Sequence, residues 1–205
     1  MIRNIVFDMG GVVIRFDREL FIRRLGVPEK DARILMDQVF RSVEWAMMDR
    51  GTISEEGAEA AICPRIPARL HDAAKKLIRM WERPILPVDG MYELIDELKS
   101  LGYPVYLLSN ASLRQPEYWA RVPAAALFDG TLISSYVRLV KPQPEIYHLF
   151  CGTFRLREDE CFFIDDSPQN IEGALFSGMQ GFVFNGDVAP LRAALRAAGV
   201  PIKEA

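Results

Sequence analysis

Cysteine, histidine and surplus positive charge are all scarce in this chain of 205 residues. Its three cysteines, Cys63, Cys151 and Cys161, are far apart, odd in number and form no Cys-x-x-Cys pair. That excludes a disulfide framework or a cysteine zinc site as the basis of the fold, and reduced thiols in a cytoplasmic protein are the expectation. His71 and His148 are the only histidines, and His148 falls in an apolar pattern around 145–150 that reads as an ordinary helix, so no histidine-centred chemistry is inferred. Lys and Arg together number 25 against 28 Asp and Glu, a net charge of −3. The basic excess that binding nucleic acid or a membrane surface requires is missing. No long apolar run is present either. The N-terminal one, Ile2 to Phe7, is short and enters a glycine turn, which argues against a signal peptide or a membrane span. Internal repeats and low-complexity stretches are absent too.

What the chain does have is apolar material, 50% of residues, enough for a sizeable core, and an alternating pattern of short strands and amphipathic helices. After a first strand at 2–7, helices are expected at 18–25, at 29–41 or beyond, at 54–62 and at 70–81, with Pro84 and Pro87 marking their end. From there helix and strand alternate. The expected helices are 91–101, a helical or irregular segment at 115–121, 145–154, 171–177 and 190–198. The expected strands are 105–108, 130–134, 161–164 and 181–184. Such alternation implies right-handed βαβ units and a parallel sheet. The expected architecture is an α/β fold, a three-layer Rossmann-like core formed by 1–15 and 87–205. An all-helical cap, 16–86, is inserted after the first strand.

The chemistry lies in the polar residues that end the apolar stretches. Asp8 comes after 2–7, Ser109 and Asn110 after 105–108, Lys141 after 136–140, and Asp165 and Asp166 after 162–164. A parallel sheet carries these ends to one edge, where such folds bind ligands. Three carboxylates, a hydroxyl, an amide and an ammonium would meet there. Crowded carboxylates repel, and a hard divalent cation such as Mg²⁺ relieves that repulsion while accepting phosphate oxygens. Lys141 and Ser109 suit the other oxygens of a phosphoryl group, and Lys141 equally suits an ion pair with Asp165 or Asp166.

In order and spacing, Asp8-Met9-Gly10-Gly11-Val12, Leu108-Ser109-Asn110, Lys141-Pro142 and Ile164-Asp165-Asp166-Ser167-Pro168-Gln169-Asn170 resemble the four motifs of the haloacid dehalogenase-like (HAD) hydrolase superfamily. The helical insert sits where the C1 cap of that family sits. Its Arg50-Gly51-Thr52-Ile53-Ser54-Glu55-Glu56 run resembles the branch holding the phosphatase domain of soluble epoxide hydrolase and bacterial sugar-1-phosphate phosphatases. The resemblance implies a phosphatase in which Asp8 is the nucleophile, forming an aspartyl-phosphate that water hydrolyses. It further implies Mg²⁺ held by Asp8, the Gly10 backbone carbonyl and Asp166, with Asp165 a direct or water-mediated partner that also orients Lys141. Ser109, the Asn110 backbone and Lys141 would hold the phosphoryl oxygens. Asn170 would order the loop beside the metal or simply start a helix.

One position departs from that pattern. Most phosphatases of the superfamily carry Asp two residues after the nucleophile, where it protonates the leaving oxygen and then activates water. Here Gly10 stands in its place, and the nearest polar side chains are Arg15 and Asp17. Asp17 is read as either a proton-transfer group or a structural one. The departure keeps two alternatives open: a binding protein for a phosphorylated metabolite without efficient turnover, and a haloacid dehalogenase. The adjacent Asp165-Asp166 pair speaks for a metal and against halide displacement. Arg114, Tyr118, Trp119 and Arg121 either face the cleft or pack beneath it. Trp45, Met47 and Met48 are cap core or apolar walls, and Arg41 and Glu44 are possible sugar contacts. The expected ligand is a small phosphorylated metabolite, a sugar phosphate by resemblance. A cap excludes macromolecules, and monomer or weak homodimer is the expectation.

Overall fold

The computed structural model describes residues 1–203. Its strands are β1 (Asn4–Phe7), β2 (Val105–Ser109), β3 (Gly130–Ile133), β4 (Cys161–Asp165) and β5 (Gln180–Val183). They form one parallel sheet in the order β3-β2-β1-β4-β5. β1 is buried throughout and lies at the centre, which is where a continuous apolar run belongs in a parallel sheet covered on both faces. Register sets the functional edge. Phe7 is level with Leu107 on one side and with Ile164 on the other, so Asp8 and Asp165 leave the sheet together.

Between β1 and β2 run α1 (Arg18–Arg23), α2 (Glu29–Leu35), α3 (Val43–Asp49), α4 (Glu55–Ile62) and α5 (His71–Met80). Asp17 caps α1 by accepting from the Leu20 N–H at 2.8 Å, and Ser54 caps α4 through the Gly57 N–H at 3.1 Å. The single helix expected from residue 29 onward is divided. α2 continues into a π-helical turn at Met36–Phe40, and Ser42 then starts α3 by accepting from the Trp45 N–H at 3.2 Å. These helices bury their own apolar cluster, which includes Leu35, Val39, Ala58, Ile62, Ala74 and Leu77.

The rest of the chain supplies α6 (Met91–Ser100), α7 (Gln115–Trp119), α8 (Ser134–Val137), α9 (Pro144–Phe154), α10 (Pro168–Phe176) and α11 (Val188–Ala197). Leu94 and Leu98 of α6 and Leu191 and Leu195 of α11 pack on one face of the sheet. Ile146 and Phe150 of α9 and Ile171 of α10 pack on the other, which makes the three-layer α/β fold. No helix among the described residues is long and apolar enough to cross a membrane. The stretch 136–140 is not a strand. β3 ends at Ile133, the chain turns through α8, and Arg138 adopts a left-handed conformation at φ 57°. With β3 at the sheet margin there is no further partner strand, and Tyr136 points to solvent at 62% exposure. Lys141 therefore arrives on a loop.

The insert meets the core at two kinds of contact. Its entry and exit segments lie side by side. The Arg15 N–H donates to the Leu86 carbonyl at 2.7 Å, and the Val88 N–H donates to the Val13 carbonyl at 3.1 Å. Beyond them, Glu82 is fully buried and accepts from the two terminal guanidinium nitrogens of Arg114, Nη1 and Nη2, at 3.1 Å and from Arg121 at 2.8 Å. Burial alone would raise the Glu82 pKa, but its hydrogen bonds to Arg114 hold it below the ordinary carboxylate range. The stabilisation from a lowered carboxyl is present above the unfolded-state pKa and lost as pH falls through the folded value. Glu82→Gln is expected to cost about 3 kcal/mol, because it leaves Arg114 without its anion in a largely buried site. Urea denaturation checks this, and the variant should lose less stability on acidification than the wild type.

Candidate active site

Asp8 is the residue after β1, and its N–H donates to the Ile164 carbonyl of β4 at 2.8 Å, so the backbone ladder itself fixes its place. The chain then folds back on itself. The N–H groups of Val13 and Ile14 both reach the Met9 carbonyl at 2.9 Å. Gly11, at φ 85°, passes so close to Asp166 that a Cβ there would overlap its carboxylate. The second glycine of the opening motif is thus required twice, by conformation and by space.

Lys141 is buried at the centre of the polar cluster. An ammonium carries three protons, and the Lys141 Nζ directs them to Asp8 Oδ1 at 2.7 Å, Asp165 Oδ2 at 2.7 Å and the Leu108 carbonyl at 2.8 Å. Asp165 is equally saturated. Its Oδ1 accepts from the Ser167 N–H at 2.8 Å, and the Asn170 side-chain amide reaches both oxygens at 3.0 and 3.1 Å. Asn110 positions Lys141 through its backbone, its Oδ1 accepting from the Lys141 N–H at 2.9 Å and its Nδ2 donating to the Lys141 carbonyl at 3.0 Å.

The charges do not balance within this set. Burial pushes Asp8 up to about 7 despite Lys141, and Asp165 adds to the rise. Burial would lower Lys141, yet Asp165 and Asp8 hold it above its ordinary value as a firm cation. Asp166 is raised by burial and by Asp165, and none of the three Lys141 protons reaches it. Oxygens of Asp8, Asp165 and Asp166 lie within 4.8 Å of one another. One ammonium among three close carboxylates leaves net negative charge, with all-oxygen donors and an uncommitted Asp166 at the mouth. That donor set fits a hard divalent cation of the Mg²⁺ type.

A cavity opens above this cluster, lined on the core side by Asp8, Gly10, Asn110, Ser112, Lys141, Asp166 and Asn170. Ser109, the last residue of β2, is buried and does not line it. Asp17 is a helix cap outside the cavity, and Arg15 pairs with Asp89 at 2.6 Å on the surface. Of the residues following β2, Tyr118 reaches the cavity wall. Trp119 packs on Phe128 at 5.0 Å, and Arg114 and Arg121 serve Glu82. Trp45 and Met48 also reach the wall, whereas Glu44 is held by Arg65 at 2.7 Å and Arg41 by Asp37 at 3.1 Å. His148 faces Glu158 at 3.2 Å on the surface, and all three cysteines are free thiols. Among the cavity residues that the sequence pattern does not single out are Phe16, Arg18, Asp49 and Trp81. Each lies in an amphipathic helical stretch or beside one, where nothing in the local pattern separates a cavity wall from a core or surface position.

A family model described as haloacid dehalogenase-like hydrolase matches residues 2–178, and the chain belongs to that family. Over 199 residues it is 27% identical to the D-ribitol-5-phosphate phosphatase of Bacteroides thetaiotaomicron, covering 89% of this chain and 91% of that protein. It is 30% identical over 78 residues to the bifunctional epoxide hydrolase 2 of Mus musculus, spanning 38% of this chain and 14% of that protein. Among solved structures, a HAD family enzyme of B. thetaiotaomicron crystallised with magnesium and inorganic phosphate superposes with a TM-score of 0.68. It shares 23% identity and covers 93% of this chain and 99% of that one.

Lys141→Met would leave Asp8 and Asp165 buried together without a cation and is expected to cost about 3–5 kcal/mol in chemical denaturation. Because both carboxylates share that cation, adding Asp165→Asn should recover part of the loss. The measured coupling then departs from additivity by more than about 0.5 kcal/mol.

Proposed function

We propose that the protein is an Mg²⁺-dependent phosphatase acting on a small phosphomonoester, with a sugar phosphate or similar polyol phosphate as the substrate class. The observation that carries this reading is the buried Asp8–Lys141–Asp165 triplet beside an uncommitted Asp166. Its likeness to a ribitol-phosphate phosphatase over nearly the whole length supports it. In this reading 1–15 with 87–205 is the catalytic core and 16–86 is the cap.

Asp8 is the nucleophile. Lys141 keeps its carboxylate partly ionised against burial and fixes one oxygen, leaving the other to attack phosphorus. Asp165 orients Lys141 and is itself immobilised by Ser167 and Asn170. Asp8, the Gly10 carbonyl and Asp166 are the residues to hold Mg²⁺, with Asp165 contributing directly or through water. When bound, the cation offsets the repulsion between these carboxylates and a phosphoryl dianion. The expected role of Ser109 in holding phosphate is not kept, because its side chain is buried behind the cavity wall. The Asn110 backbone and Lys141 receive the remaining phosphoryl oxygens, Lys141 by exchanging its Asp8 contact as that carboxylate becomes phosphorylated. A haloacid dehalogenase is disfavoured by Asp166, a carboxylate with no ion pair among the described residues, which repels both a haloacid and a departing halide.

Colorimetric phosphate release from a panel of sugar and polyol phosphates should require Mg²⁺ and stop with EDTA. Asp8→Asn should remove it, and no chloride should leave 2-chloropropionate. Turnover no greater than that of Asp8→Asn, with the phosphorylated compounds still bound, would instead establish a binding protein.

A further inference from the structure

The proposed phosphatase chemistry needs a proton for the leaving alcohol, and in that reading the acids on the core side are committed elsewhere, Asp8 to attack, Asp165 to Lys141 and Asp166 to the metal. Gly10 carries no side chain, and the space beside it is filled by Phe16, whose Cβ would stand 3.4 Å from a Cβ at position 10. Phe16 is fixed there by edge-on packing against Trp81 at 4.9 Å between ring centres.

The opposite wall of the cavity does carry an acid. Asp49, the last residue of α3, lines the same cavity as Asp8. The core holds it in place at two points. The Ser134 hydroxyl donates to the Asp49 carbonyl and accepts from the Ala111 N–H at 3.0 Å, tying α3 to the loop after β2. Two residues on, Gly51 at φ 72° runs so close to Ser135 that any Cβ would overlap the Ser135 carbonyl. A carboxylate here has no structural reward. It sits at the helix end where the dipole is negative and disfavours an anion, and no ion pair reaches it among the described residues. The groups facing it are Asp8, Arg18, Lys141 and the Tyr118 phenol. Burial and then Asp8 push the carboxyl up to about 7, with Arg18 and Lys141 only partly offsetting the rise. Tyr118 is itself raised by burial and stays a neutral phenol.

We propose that Asp49, supplied by the insert, is the general acid and base of this site, replacing the acid that Gly10 lacks. The assignment rests on the phosphatase reading. As an Asp8 oxygen bonds to phosphorus, the bond from phosphorus to the alcohol oxygen breaks. Its electron pair stays on that oxygen, and the Asp49 proton joins it to release a neutral alcohol. The Asp49 carboxylate then takes a proton from water while the water oxygen bonds to phosphorus. The bond from phosphorus to Asp8 breaks, its electron pair returns to the Asp8 carboxylate, and inorganic phosphate leaves.

The test is Asp49→Asn assayed on an alkyl phosphate and on para-nitrophenyl phosphate, whose leaving group departs without a proton. kcat/KM, which reports phosphoryl transfer to Asp8, should fall roughly 10²- to 10⁴-fold for the alkyl phosphate and change little for the nitrophenyl ester. kcat should fall for both, since hydrolysis of the phosphorylated enzyme also needs the base. Nitrophenol should then appear in a burst, with phosphorylated Asp8 visible by mass spectrometry after acid quench. Asp49→Glu should restore part of the alkyl phosphate activity, and a melting temperature equal to wild type separates chemistry from folding. Equal losses of kcat/KM on both substrates, or none on either, would overturn the assignment while leaving the phosphatase reading standing. Absence of Mg²⁺-dependent turnover by the wild type, matching Asp8→Asn, would overturn both.

Discussion

The Lys141 ammonium lies 2.7 Å from Asp8 and 2.7 Å from Asp165, and the sheet edge depends on it. Without that charge, two carboxylates would sit buried at the ends of adjacent strands. Their repulsion is on the order of 4 kcal/mol at the effective dielectric of a protein site. The side chain has almost no freedom, because its three protons have three acceptors and its backbone is clasped by the Asn110 amide. A cation held this firmly serves stability and chemistry at once. It makes the buried carboxylate pair tolerable, and it keeps Asp8 partly ionised where burial alone would neutralise it.

The second constraint is how the helical insert is held above that edge. Glu82, Ser112 with Glu55, and Ser134 with the Asp49 carbonyl are polar contacts between insert and core. With the Trp81 ring of the insert packed on Tyr118 of the core at 5.4 Å between ring centres, these directional hydrogen bonds define the position of the insert over the cavity. Most of the apolar burial lies within the cluster of the insert itself and in the two layers flanking the sheet.

Most of the sheet was legible in the sequence, and the reason is physical. Buried parallel strands are short continuous apolar runs, and the polar residue that ends each one marks the functional edge, as with Asp8 after Phe7 and Asp165 within Phe162-Phe163-Ile164-Asp165. The apolar stretch 136–140 shows the limit of that signal, since whether an apolar run beside the sheet margin pairs depends on a neighbour that sequence does not show. Asn110 and Asn170 were seen as site neighbours, whereas their clasp on Lys141 and Asp165 required coordinates. Asp49 was out of reach. Its spacing within α3 is that of an ordinary helical residue, and its place at the cavity is set by the contact of its carbonyl with Ser134 and of Gly51 with Ser135, more than eighty positions away.

The side-by-side entry and exit segments, bridged at Ile14 and Pro87, have a consequence for how such a chain can diversify. Since the two ends of the insert leave the core as neighbours already hydrogen-bonded to each other, the closure entropy of whatever lies between them is met by the core. To the Asp8 strand, the whole helical segment is one long hairpin loop. Helices in it can be lengthened, reordered or exchanged without moving Asp8, so the cavity wall supplied by the insert can change independently of the wall that carries the carboxylates.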